Sequence, residues 1–185
     1  SIKIKIDNKT ASIYNASVAI TGYDNLVNLD GNYKVGSGTF DLKLAIEKFN
    51  MKSIQAFTFG NLTESTGFLN GNLAITGTAS QPDILGIINF NEVGFGVKTL
   101  NTKFKLPSDK IEFRNKQIVF KSFKLQDENN NDLVLDGVIN SADFSNLGLD
   151  LSLVANNFNP IRSTEKDNDL FYGELYLDND IRIKG

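Results

Sequence analysis

The chain has 185 residues, 41% of them hydrophobic and 22% charged, with a formal net charge of −3, which is length enough to bury the core of one domain. It contains no Cys and no His, which excludes disulfide frameworks, thiolate nucleophiles, Cys-ligated zinc, the Ser-His-Asp triad and the usual proton shuttle. No apolar run approaches the ~20 residues of a membrane-spanning helix, so neither most enzyme classes nor a helical membrane protein is expected.

Alternation begins at the first residues, where Ile2, Ile4 and Ile6 are interleaved with Lys3 and Lys5. There is no initiator Met and no signal-peptide pattern. The last residues, from Asp180 to Gly185, alternate in the same way, and both ends are expected to be cut from a longer chain. Further along, Phe40, Leu42, Leu44 and Ile46 alternate with Asp41, Lys43, Ala45 and Glu47. Leu73 and Ile75 alternate with Asn72, Ala74 and Thr76; Phe104 and Leu106 face away from Lys103 and Lys105; Leu147, Leu149, Leu151 and Leu153 alternate with Gly148, Asp150 and Ser152. Side chains two apart share a face of a strand, so each run has one apolar and one polar face. Runs recur about every dozen residues, which predicts about twelve strands joined by tight polar turns.

Turn chemistry agrees. Asp30-Gly31, Asn70-Gly71, Asp136-Gly137 and Asn129 to Asp132 supply residues that tolerate the positive φ of hairpins, which accounts for the 23 Asn. One helical candidate stands out, Asn50 to Phe59, where Met51, Ile54 and Phe57 are spaced by three behind a possible Asn50 cap; it reads as a short helix or an irregular loop. Residues 1–185 are thus expected to form a single, mostly antiparallel sheet.

Between Lys98 and Lys124 there are eight basic residues against Asp109 and Glu112, net +6, leaving −9 elsewhere. Nucleic-acid binding needs a reading element or stacking platform beside such an excess; the plainer reading is outward lysines that keep strands soluble and unpaired, and the sharper one is contact with anionic headgroups or an acidic partner. Other motifs fail on detail. Asp127 to Asp132 imitates the start of a calcium loop, but the sixth position is Asp132 rather than Gly and the twelfth is Val138 rather than Glu. Ser163 to Lys166 has Ser-x-x-Lys spacing without its companion motifs. Gly36-Ser37-Gly38 and Gly94-Phe95-Gly96 open no helix and cradle no phosphate. No acid/base pair stands out among the carboxylates. No catalytic residue, metal ligand or cofactor is assigned.

One stretch is more specific. Gly67 to Phe90 reads GFLNGNLAITGTASQPDILGIINF, and Leu170 to Gly185 reads LFYGELYLDNDIRIKG. Between them come Phe123 to Asn140, with Leu133-x-Leu135-x-Gly137 after a polar turn, and the Leu strand Leu147 to Phe158. This order resembles the C-terminal domain of the TamB translocation and assembly module family, within the wider AsmA-like group. The likeness covers Phe40 to Gly185, and the Asn- and Lys-rich usage is similar to that of Bacteroidetes members.

The resemblance implies a long sheet curled into an open, taco-like groove with an apolar interior. It implies a periplasmic location, within a chain anchored in the inner membrane and reaching the outer membrane. The partners it implies are phospholipid acyl chains and a TamA-like outer-membrane barrel of the BamA type. On this reading Phe40, Leu42, Leu44, Leu73, Ile75, Phe90, Phe104, Leu106, Phe113, Phe120, Leu149, Leu151 and Leu153 line the groove. Without the resemblance, the same thirteen would fill a closed sandwich core. The rival function is an assembly module that docks a barrel or client strand by β-augmentation; a fragment of a membrane-embedded barrel is a third reading.

Overall fold

The computed structural model describes residues 1–144, 146–168, 170 and 172–185; Phe171 of the Leu170–Gly185 stretch lies outside them. Eleven strands follow one another in chain order: β1 (Ile2–Thr10), β2 (Ile13–Gly22), β3 (Asn25–Lys34), β4 (Thr39–Asn50), β5 (Leu62–Thr78), β6 (Pro82–Val97), β7 (Thr102–Arg114), β8 (Gln117–Gln126), β9 (Asp132–Asn140), β10 (Gly148–Ser163) and β11 (Gly173–Lys184). They form one antiparallel sheet in that same order, with β1 and β11 at its free edges, so the sheet does not close into a barrel. The fold is an all-β, curled sheet, one strand short of the expected twelve.

The helical candidate is a helix, α1 (Met51–Ala56), between β4 and β5. Asn50 precedes it, but its side chain makes no capping bond. Instead the Asn50 N–H donates to Asn25 Oδ1 on β3 at 2.8 Å.

The register explains how one face stays apolar across so many strands. Ile4, Val18, Leu29, Leu44, Leu73, Gly86, Phe113, Ile118, Ile139 and Leu149 stand side by side on β1 to β10. A second row runs from Ile2 through Ile20, Val27, Ile46, Gly71, Ile88 and Ile111. It resumes at Phe120, Gly137, Leu151 and Ile183. The opposite face carries rows such as Lys5, Ser17, Asp30 and Lys43.

Strict alternation breaks toward one rim on several strands. A line of irregularities then crosses the sheet: between Ile46 and Phe49 on β4, Thr63 and Phe68 on β5, Phe120 and Phe123 on β8, and Ala155 and Phe158 on β10. Glu64, Glu92, Ser122 and Asn157, on β5, β6, β8 and β10, have left-handed φ of 50°, 47°, 47° and 48°. Each such bulge adds a step of one residue and bends its strand. Apolar residues three apart therefore return to the same face, as Phe120 and Phe123 do, with rings edge-on at 5.7 Å. N–H groups freed at this crease find side-chain acceptors. Ser122 N donates to Asp136 (2.6 Å), Asn157 N to Asp178 (2.8 Å) and Ser65 N to Gln55 (2.8 Å).

Beyond the crease the apolar face is sealed. Met51 of α1 is buried with Val93 and Leu106, and Ile54, Phe90 and Phe123 pack around them. A second cluster joins Phe104 on β7 to Ala155 and Phe158 on β10. The sheet is thus covered by its own helix and by its own curl at one rim, and its apolar face is only half-buried below the crease.

Candidate functional site: the apolar face

All thirteen residues proposed from the sequence to line a groove fall on this one face, but in two environments. Phe40, Leu42, Leu44, Leu73, Ile75, Phe113, Phe120, Leu149, Leu151 and Leu153 lie below the crease and are half-buried. None of the ten belongs to the two buried clusters. Phe90 sits at the boundary, its ring edge-on to Phe123 at 5.5 Å. Phe104 and Leu106 lie beyond it and are buried, each 5% exposed. Those two belong to the sealed part, because the bend carries β7 under α1 and β10.

The open part is wider than those residues suggest. Val18, Ile20 and Leu29 on β2 and β3, and Ile88, Ile111, Ile118 and Ile139 further along, occupy the same rows. β2 and β3 have their alternation diluted by Ala, Ser and Asn. Register is what recruits them: Leu29 lies opposite Leu44, and Val18 opposite Leu29. The ten spacings between eleven strands make the face about 48 Å long at ~4.8 Å each.

Glycines shape it. Gly86 and Gly137 lie in the inward rows with φ of 138° and 123°, and a Cβ on either would come within 2.0 Å and 2.2 Å of the Asn72 and Asp150 carbonyl oxygens of the neighbouring strand. Only glycine allows the backbones to approach so closely there.

The seal is held by a buried carboxylate. Asp127, 1% exposed, closes the β8–β9 turn by accepting from Asn129 N (2.8 Å) and Asn131 N (2.9 Å) through Oδ1. Its Oδ2 accepts from Asn131 Nδ2 (3.1 Å) and from Asn159 N on β10 (2.9 Å). Burial acts to raise its pKa, yet the N–H donors of Asn159, Asn131 and Asn129 outweigh it and hold the carboxyl below its ordinary 3.8. Both of its oxygens thus face N–H groups of the turn and of β10. Ion pairs on the same rim join Arg162 to Glu128 (3.7 Å) and Glu174 (3.5 Å).

The basic excess of residues 98–124 lies mostly on the polar face and at the rims. Lys110, Arg114 and Lys121 surround Glu112 at 4.0, 3.7 and 3.4 Å, and Lys124 pairs with Asp132 at 2.7 Å. Lys110, Arg114, Lys121 and Lys124 are spread along strands with largely exposed side chains. β7 and β8 are loosely joined: no backbone register pair occurs between Lys105–Gln126 and Glu112–Val119. Pro107 has no N–H to offer in that gap, and Asp109 bridges it by accepting from the Lys124 N–H.

No family model, curated protein or solved structure matches the chain. Function therefore has to be argued from the apolar face itself. Such a surface offers no directional chemistry. It can lower the cost of exposing hydrocarbon, and it can do so anywhere along its length.

Proposed function

We propose that this chain is a segment of a non-enzymatic lipid conduit, with phospholipid acyl chains held along the open apolar face and headgroups left in solvent. The observation that carries it is the row running unbroken from Ile4 on β1 to Leu149 on β10, half-buried from Val18 onward. A sheet with one apolar face must cover that face or lend it to a ligand. Moving a sixteen-carbon tail into water costs on the order of 12 kcal/mol at about 0.8 kcal/mol per methylene. A continuous strip removes much of that barrier without any specific pocket. In keeping with the TamB-like order of its elements, the proposed setting is the periplasm, in a chain anchored in the inner membrane and supplying the outer membrane.

A test is transfer of labelled phospholipid between vesicles by the wild-type chain and by the double variant Ile75→Asp/Leu151→Asp. Both positions are half-buried on the open face, so two charges there should abolish transfer while leaving the sheet's circular dichroism unchanged. Undiminished transfer by a folded double variant would refute the conduit.

A second reading rests on the free edges. Ile2, Ile4 and Ile6 of β1 remain 63–67% exposed, and among the described residues one side of that strand has no partner strand. An outer-membrane barrel of the BamA type or a client strand could pair there by β-augmentation. This role predicts indifference to the double variant.

A further inference from the structure

Exposed apolar side chains are not spread evenly over the molecule. In a meander of this order the β2–β3, β4–β5, β6–β7, β8–β9 and β10–β11 connections share one rim, and the other connections share the opposite rim. The first rim carries Tyr23 at 95% exposure, Phe57 at 71%, Phe59 at 97% and Leu170 at 88%, whereas on the opposite rim Val35, Phe144 and Leu147 reach no more than 50%.

Two of these aromatics are held outward by backbone that aromatic residues rarely adopt. Tyr23 and Asp24 form the two-residue β2–β3 loop with φ of 52° and 60°, and Phe59 has φ of 51°. Asn and Gly suit such positions, and bulky residues do not. A ring placed at a strained tip gains nothing for folding by being there, since it buries nothing.

The three tips are neighbours. Tyr23, Lys52 and Ala56 line one shallow cleft between the β2–β3 loop and α1, and Asn25 Nδ2 donates to Ser53 Oγ at 2.7 Å across the same junction. Phe57 follows α1 directly, and the Phe57–Asn61 loop is tied to the start of the 98–100 turn by Lys98 N donating to Asn61 O at 2.9 Å. Of the carboxylates nearby, Asp24 pairs with Lys48 and Glu64 with Lys103; Glu128, paired with Arg162, and Asp167, bonded to Thr164, line the same cleft as Lys98. Among the described residues Lys52 and Lys98 make no ion pair. The rim therefore presents protruding aromatic points flanked by unpaired lysines.

We infer that this rim is a docking surface for an anionic phospholipid bilayer, with Phe57, Phe59 and Tyr23 inserting at the headgroup boundary and Lys52 and Lys98 meeting lipid phosphates. Interfacial aromatics and basic residues are the combination that such a surface binds. Convex points on separate loops suit a deformable interface; a protein partner would need a shaped surface for each of them. The inference is independent of carriage along the open face, because none of these residues belongs to the apolar rows.

The chain has no Trp, so Phe59→Trp is a single reporter, with Phe144→Trp on the opposite rim as its control. Vesicles of phosphatidylcholine and phosphatidylglycerol should shift the Phe59→Trp emission to the blue, and weaken in effect as salt rises; Phe144→Trp should not shift. In co-sedimentation with the same vesicles, Phe57→Ser/Phe59→Ser should bind about tenfold more weakly or worse. Lys52→Glu/Lys98→Glu should lose the preference over phosphatidylcholine alone. Ile75→Asp/Leu151→Asp should dock like the wild type, which separates failure of docking from failure of transport. No shift of Phe59→Trp, an equal shift of both reporters, or undiminished sedimentation of folded Phe57→Ser/Phe59→Ser would overturn the inference.

Discussion

The ring of Phe104 on β7 stacks on that of Phe158 on β10, with centroids 5.8 Å apart and planes inclined by 21°. Two strands, β8 and β9, lie between them in the sheet. In a flat sheet, strands three places apart are separated by about 14 Å, so this contact measures the curl directly. It also marks where the apolar face stops being available, since Phe158 is only 1% exposed.

Removing that ring should therefore cost far more than removing one from the open part. Phe158→Ala is expected to destabilise the chain by about 3–5 kcal/mol. Phe40→Ala, on the half-buried lower face, should cost no more than about half as much. Urea unfolding monitored by circular dichroism gives both numbers, and equal costs would mean that the two halves of the face are packed alike.

The crease was partly readable beforehand. Phe120 and Phe123, or Ala155 and Phe158, are three apart where strict alternation demands two, and a three-residue step between apolar residues is the mark of a bulge. What could not be read is which segments fold over the bend. Met51 and Ile54 have the spacing of a helix face, but spacing does not say that α1 will lie on Val93 and Leu106 rather than point to solvent. The lower rows were legible on β4, β5 and β10, where Leu and Ile alternate cleanly. On β2 and β3 they emerged only from register, because the intervening residues there are small. The sealing role of Asp127 was hidden for another reason: its partner Asn159 is 32 residues away.

Asp127 makes stability depend on acid. Its folded pKa lies below the ordinary 3.8, so the stability it contributes is present above that value and is lost as pH falls through the lower, folded one. Asp127→Asn, which replaces one accepting oxygen by an amide NH2 facing N–H donors, should cost about 2–3 kcal/mol at neutral pH. As pH falls through the lowered, folded pKa the gap between variant and wild type should narrow. A constant difference across that range would show that the carboxylate charge is not what matters.

Gly137 tests the close approach of β9 and β10. Gly137→Ala places a Cβ against the Asp150 carbonyl at a φ of 123°, and a loss of about 2 kcal/mol or more is expected. Gly36, on the β3–β4 turn, has nothing within 4 Å of such a Cβ, so Gly36→Ala should change stability by less than about 0.5 kcal/mol. Thermal melts of the two variants side by side decide this.

Native mass spectrometry of the purified chain tests the open face most directly. The wild type should fly with phospholipid adducts, and Ile75→Asp/Leu151→Asp, folded to the same extent, should fly bare. A wild type that carries no lipid, or a double variant that carries as much, would contradict the proposal that hydrocarbon tails occupy this surface.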